Sequence, residues 1–259
     1  MTAPRLVAVD IGNSTTKLGW FGVGAAGLPT PEQVHSFPTG SSPEESLATE
    51  LPRETLVWHV SSVHREGTRL LTEWIAAQRP QERVHLLTYR DLPIRIEVEF
   101  PDKVGLDRLA AAVAANVLRD AGRPAIVVGA GSAITVNQIS ADGVFAGGAI
   151  LPGYKMQADA LYSGADLLPL AKLAPDAEPP HSVGKNTEAA IKSGLFWGAV
   201  GAVRELVRQM SAELPKPPHV FVTGGDLRQL AAQLGGEARF VPHLVLSGIA
   251  VVNGQARGE

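Results

Sequence analysis

Two stretches of this chain are built alike. Residues 6–20 read "LVAVDIGNSTTKLGW" and residues 125–139 read "AIVVGAGSAITVNQI". Each is an apolar run, a glycine-containing turn with small hydroxyl residues, and a second run, the pattern of strand, tight turn, strand. A chain that makes this unit once in each half is constrained to an architecture duplicated at the level of topology. The sister turns differ in one respect: the first carries Asp10 where its strand ends, and the second carries Gly129 at the equivalent point.

The remaining punctuation fits α/β lobes. Strand signals fall at 5–10, 16–22, 55–61, 84–87, 125–129, 133–139 and 144–150, and "HVFVTGGDL" at 219–227 is a strand running into glycines before a helix. The Asp-Gly pair in "SADGVF" predicts a hairpin joining the strands at 133–139 and 144–150. Helices are expected at 44–50, 67–79, 107–121, 187–212 and 226–234, with proline-rich loops at 171–182 and 213–218. The composition shift at "AGRP" places a boundary between an N-terminal lobe, 1–122, and a C-terminal lobe, 123–259, sharing a nucleotide cleft.

Composition narrows the function classes. With 45% apolar residues in 259, a sizeable core can form, and a net charge of -3 argues against a nucleic-acid partner held by bulk electrostatics. The absence of cysteine excludes disulfides and thiolate metal sites. "MTAPRLVAVD" does not read as a signal peptide, and "LAAAVAANVL", bounded by Arg108 and Arg119, is too short to span a membrane. The expectation is a cytoplasmic protein without a membrane partner.

Three loops offer phosphate chemistry. In "DIGNSTTK", Gly12 admits close backbone approach, Asn13, Ser14, Thr15 and Thr16 add donors, and Lys17 can neutralise charge. A carboxylate beside phosphate is repulsive unless a cation intervenes, so Asp10 suggests Mg²⁺, held directly or through water. A plain hairpin turn closed by Asp and Asn side chains is the competing reading. "GAGSAIT" offers Gly129, Gly131, Ser132 and Thr135 without a carboxylate, and "TGGD" at 223–226 is a third glycine turn. None is a GxxxxGK[ST] or GxGxxG loop. In "KVGLDRLAAAVAANVL", Asp107 opens a helix; it is either a cap suited to the helix dipole or a general base, with Arg108 able to grip a carboxylate. His35, His59, His64, His85, His181, His219 and His243 show no ligand spacing and read as structural or surface residues; Trp20, Trp58, Trp74 and Trp197 read as core.

In combination, "DIGNSTTKLG", "VGLDRLAAAVAA", "GAGSAITVNQI…GVFAGGAILPG", "GKNTEAAIKSGLFWGAVGAV" and "VFVTGGD…PHLVLSGI" stand in the order found in type III pantothenate kinases, which the chain resembles from about residue 5 to 252. The resemblance implies two duplicated actin-like (ribonuclease H-like) lobes and a homodimer. It implies phosphorylation of pantothenate by ATP, the first step of coenzyme A synthesis, with Mg²⁺ and a monovalent cation, K⁺ or NH₄⁺. Asp10 matches the family's metal-linked aspartate, and Asp10 to Lys17 match its first ATP-phosphate loop. Gly105, Leu106, Asp107 and Arg108 match the GxDR motif that holds pantothenate, with Asp107 as catalytic base. Ser132 matches a threonine that contacts ATP, with Gly131 beside it. Thr187 matches a threonine that touches pantothenate, on a helix of the dimer interface, and residues 147–153 match a signature near the cleft.

The chain departs from the family pattern at named places. Two aspartates of the second loop are here Gly129 and Asn137, and the first is the family's monovalent-cation ligand. A tyrosine that often lines the pantothenate pocket corresponds to Val98, with Phe100 nearby. Three outcomes are compatible with the loss at Gly129: a site rebuilt from another acid such as Asp102 or Asp142, or filled by water; independence from monovalent cations; or a degenerate, non-catalytic nucleotide-binding paralogue or accessory regulatory protein.

Overall fold

The first expected hairpin is present, and it seeds a five-stranded sheet. In the computed structural model, which describes residues 5–22, 27–47, 50–52, 54–174, 178–225, 228–236 and 238–255, β1 (Arg5–Ile11) pairs antiparallel with β2 (Thr15–Phe21), and β2 with β3 (Gln33–Pro38). On its other side β1 pairs in parallel with β4 (Leu56–Ser62), which pairs in parallel with β5 (Arg83–Leu86). The order is β3-β2-β1-β4-β5. The second sheet contains β6 (Ala125–Ala130), β7 (Ala133–Ile139), β8 (Phe145–Pro152), β9 (His219–Thr223) and β10 (Ala238–Phe240), in the order β10-β9-β6-β7-β8. Read from its other edge, that is the order of the first sheet, with the same antiparallel and parallel pairs. The duplication is therefore topological. The Asp-Gly hairpin also forms: Ser140 N–H donates to the Val144 carbonyl at 2.9 Å, with Gly143 at φ 81°.

Helices close the parallel crossovers. They are α1 (Pro43–Leu47), α2 (Arg65–Gln78), α3 (Leu106–Leu118), α4 (Tyr154–Gly164), α5 (Thr187–Ala212), α6 (Arg228–Leu234) and α7 (Leu244–Gln255). Strand periodicity decides what each sheet face meets. Val7, Val9 and Ile11 point with Leu18, Trp20, Trp58 and Val60 into a core completed by Leu47, Leu71 and Ile75 of α1 and α2. The alternate residues Leu6, Ala8 and Asp10 stand beside Val57, His59 and Ser61 on the opposite face. α7 lies over that face, where the Ile249 backbone hydrogen-bonds His59 and the Leu246 side chain approaches Gly19. In the second sheet Ile126, Val128, Ile134 and Val136 bury against Phe196, Val200 and Val203 of α5.

The chain divides into a first unit, Met1–Leu118 with His243–Glu259, and a second, Arg119–Pro242. The break thus falls at 118/119 rather than at the 122/123 expected from "AGRP", and the C-terminal segment belongs with the first unit rather than the second. The physical reason is a close helix crossing: α7 packs on α3, with Gly248 against the Ala110 backbone. A Cβ at 248 would lie 1.8 Å from the Ala110 carbonyl oxygen, which cannot rotate away. Gly248→Ala is expected to destabilise by about 3 kcal/mol, the upper end of ordinary overpacking. Gly201→Ala, in α5 where an added Cβ meets nothing within 4 Å, should instead stabilise by roughly 0.5–1 kcal/mol. Thermal unfolding of the two variants checks both signs.

Four elements escape sequence reading. β3 is an edge strand, "QVHSFP", without clean alternation, and β10 has only three residues. α4 is a sparse mixture, "YKMQADALYSG". α7, "LVLSGIAVVNGQ", is apolar almost all round and lacks the polar stripe that marks an amphipathic helix. The helix expected at 107–121 ends at Leu118, before a turn at Asp120–Arg123 with Gly122 at φ 72°. Residues 48 and 49 of the helix expected at 44–50, and 226 and 227 of that expected at 226–234, lie outside the described residues. Among the described residues, no helix is long and apolar enough to cross a membrane.

Candidate active site

In the first unit the chemistry gathers at the ends of β1 and β4. Asp10 sits one residue before the end of β1, in register with Lys17 on β2 and with Ser61 on β4. The turn that follows is braced by backbone: Gly12 N–H donates to the Thr15 carbonyl at 3.1 Å, and Thr39 N–H to the Ser14 carbonyl at 3.1 Å. Asn13 and Ser14 are exposed at the tip. Thr16 is buried, and its hydroxyl pairs with that of Thr39 at 3.0 Å. It supports the turn from below, a position unlike the phosphate-facing one that the sequence suggests for it.

The first turn of α3 supplies the second carboxylate. Gly105 precedes the helix, and its carbonyl accepts from the N–H groups of Arg108 and Leu109 at 3.1 and 3.3 Å. Leu106 opens the helix and is half-buried. The Asp107 carboxylate folds back against Gly105: a Cβ there would lie 2.5 Å from Asp107 Oδ1. The N–H of Arg108 donates to the Asp107 carboxylate, as suits an acid in the first turn of a helix.

Asp10 and Asp107 lie within each other's field. Burial first and the Asp107 charge second push the Asp10 carboxyl up to about 7, with Lys17 opposing both. Burial also raises Asp107, against the Arg108 N–H and guanidinium. Arg108 is half-buried, and burial lowers its proton affinity while Asp107 opposes that. A pair of half-buried carboxylates flanked by Lys17 and Arg108 is a site prepared for a proton or a cation. Among the described residues no cluster of three or more His, Cys, Asp or Glu could cage a metal.

The second unit holds the sister loop. Gly131 N–H donates to the Ala133 carbonyl, and Gly153 N–H to the Ser132 carbonyl, each at 3.1 Å. Gly224, at φ 114°, packs so closely that a Cβ would lie 1.9 Å from the Ala130 carbonyl oxygen. The ends of β6, β8 and β9, including the 147–153 segment, thus converge on this turn. At Gly129 a Cβ would meet Thr135 Oγ1 at 2.9 Å, and Asn137, 1% exposed, donates through Nδ2 to that hydroxyl at 3.2 Å. Position 129 therefore offers no side-chain oxygen, and position 137 offers an amide. Asp142 lies in the β7–β8 turn at the far end of β7, and Asp102 lies in the first unit, exposed and ion-paired with Lys103 at 3.7 Å. Asp142 is therefore not beside Gly129, which pairs with Thr135 near the opposite end of that strand. Asp226 of the third glycine turn lies outside the described residues.

Other expected residues take simpler places. Thr187 opens α5, exposed, behind an Asn186 cap whose Oδ1 accepts from Ala189 N–H at 2.8 Å. Phe100 is 57% exposed just before the turn at Pro101–Lys103 that leads to Gly105, and Val98 is half-buried. His64 caps α2 through Nδ1, and His59 is a buried strand residue. Trp20 and Trp58 are buried, and Trp74 and Trp197 are partly so. Sequence reading missed Ser61, whose only signal is a small polar residue at an inward position of a buried strand.

Residues 6–209 match the family described as type III pantothenate kinase. A type III pantothenate kinase of Synechococcus sp. is 34% identical over 96% of this chain and 92% of its own length, and one of Frankia alni is 32% identical over 95% and 98%. One of Rhodopirellula baltica is 42% identical over 63% of this chain, a match spanning 59% of that relative. By fold alone the chain is similar to a Campylobacter jejuni protein assigned to the Baf family of transcriptional activators (20% identity, TM-score 0.59, 98% of this chain and 100% of that one). It is also similar to a glucokinase from an Antarctic psychrotroph (12%, TM-score 0.52, 98% and 100%). These likenesses concern the fold, and the chain belongs to the type III pantothenate kinase family.

Proposed function

We propose that this protein transfers the γ-phosphate of ATP to the primary hydroxyl of pantothenate, giving 4'-phosphopantothenate and ADP, the first step of coenzyme A biosynthesis. The observation that carries the reading is the pairing of Asp10 and Asp107 at the end of β1, one beside a glycine turn with exposed donors and the other on a rigid helix start. Asp107 accepts the hydroxyl proton as the oxygen attacks phosphorus in line. Lys17, the turn N–H groups, Asn13, Ser14 and Thr15 hold ATP oxygens, and Gly131 and Ser132 serve ATP in the second unit. Arg108 orients the acceptor's carboxylate or amide, with Gly105, Leu106 and Thr187 as further contacts and Phe100 as an apolar wall. Mg²⁺ at Asp10 would neutralise charge on the transferring phosphate.

Positions 129 and 137 carry no charge to draw a monovalent cation: Gly129 has no side-chain oxygen and the Asn137 amide nitrogen donates to Thr135. No step of the reaction is assigned to one. The test is ADP release from Mg-ATP with pantothenate, in sodium salt with and without K⁺ or NH₄⁺. We expect pantothenate-dependent ADP at rates equal within about twofold, since no charged ligand is lost or gained. A steep K⁺ requirement would show that other ligands hold the ion. No ADP with ATP binding intact would favour the non-catalytic reading. A cytoplasmic homodimer accompanies the proposal; exposed Met156, Leu161, Tyr162 and Leu167 on α4 and the segment after it support an apolar interface, which light scattering of the purified protein would test.

A further inference from the structure

Ser61 is 1% exposed, and its hydroxyl oxygen is buried with no hydrogen-bond partner among the described residues. An unpaired buried hydroxyl costs stability that alanine would not. The position is not arbitrary. Ser61 is the β4 residue in parallel register with Asp10, so the two side chains stand on the same sheet face on adjacent strands, about 4.8 Å apart at the backbone. Its neighbour Ser62 is already committed, receiving hydrogen bonds from His64 N–H at 3.0 Å and Thr68 Oγ1 at 2.7 Å. His59, two residues earlier on the Ser61 face, also has an unpartnered buried Nδ1, but its registered neighbour is Ala8, which offers no acceptor. Of these groups, only the Ser61 hydroxyl has a carboxylate as its registered neighbour on β1.

An ionised carboxylate only accepts, so a hydroxyl next to it must donate. We propose that Ser61 is a positioning residue: in the ATP-bound enzyme its hydroxyl donates to the Asp10 carboxylate and fixes the rotamer in which Asp10 faces the nucleotide phosphates. A turn about χ1 between staggered wells is all the motion this needs. The inference rests on the kinase reading for its catalytic consequence, and on the strand register alone for the pairing.

The test is Ser61→Ala in the full chain, alone and with Asp10→Asn. Alone, kcat should fall about tenfold, as for loss of a hydrogen bond to a charged group, with the pantothenate KM within about twofold and the ligand-free Tm unchanged or higher. Mg-ATP affinity, titrated directly, should weaken about threefold in the wild-type background and not at all beside Asp10→Asn. An unchanged kcat with a raised Tm, a fall in kcat matched by a fall in Tm, or an equal affinity shift in both backgrounds would overturn it. Absence of ADP release by the wild type would strike the kinase reading instead, and the affinity cycle would still decide the role of Ser61.

Discussion

Asp107→Asn is expected to abolish pantothenate-dependent ADP release, lowering kcat by about 10²–10⁴-fold, while ATP still binds and the protein remains folded. Asparagine keeps the size of the side chain and an oxygen that can accept from the Arg108 N–H. The close fit of this side chain against Gly105 is therefore preserved. What is lost is the capacity to take a proton. Because burial holds the Asp107 carboxyl above its ordinary value, it accepts a proton more readily than an exposed aspartate would, and the amide cannot accept one at all. Since the amide also carries no charge to desolvate, Tm should not fall. Single-turnover measurement with Mg-ATP separates the chemical step from product release. Turnover equal to that of the wild type would remove Asp107 from the role of base. A deficit confined to the pantothenate KM would make it a binding residue only.

Much of this site was legible in one dimension because its parts are local. "DIGNSTTK" is a hairpin whose strand ends place Asp10 and Lys17 opposite each other, and register across a two-strand turn follows from the turn itself. "GLDR" announces a helix start with its carboxylate in the first turn. The duplication was visible because each copy opens with the same unit. What stayed hidden depends on contacts between segments distant in sequence. Nothing local says that β4 lies beside β1 and so sets Ser61 next to Asp10. The return of α7 to the first unit follows from one glycine meeting the Ala110 backbone, which a sequence shows only as "SGIA". The substitution at Gly129 was readable as a loss; that Thr135 and Asn137 occupy its surroundings with a mutual hydrogen bond was not.

Asp10 carries the prediction with the widest reach, because charge there opposes folding and serves function. Its carboxyl is raised from 3.8 to about 7 by burial and by Asp107. A group whose proton affinity is higher in the folded state contributes stability that is full below the unfolded value and is lost as pH rises through the folded one. The ligand-free protein should therefore lose up to roughly 4 kcal/mol from this group between about pH 4 and pH 8. Asp10→Asn carries no charge to desolvate. At pH 8 its ligand-free Tm should exceed that of the wild type by roughly 5 °C or more, and the difference should close as pH falls toward 4, where the wild-type carboxyl is protonated. The same variant should lose turnover by about 10²-fold or more, since the anionic oxygen that draws a cation toward the phosphates is gone. Added Mg-ATP should raise the wild-type Tm more than that of the variant, because ligand binding to the folded state offsets the charge penalty only where the charge exists. Thermal unfolding at several pH values, with and without Mg-ATP, reads all three effects. A variant less stable than the wild type at pH 8 would mean that Lys17 outweighs burial and Asp107 at this carboxylate, and that Asp10 is held as a structural ion pair.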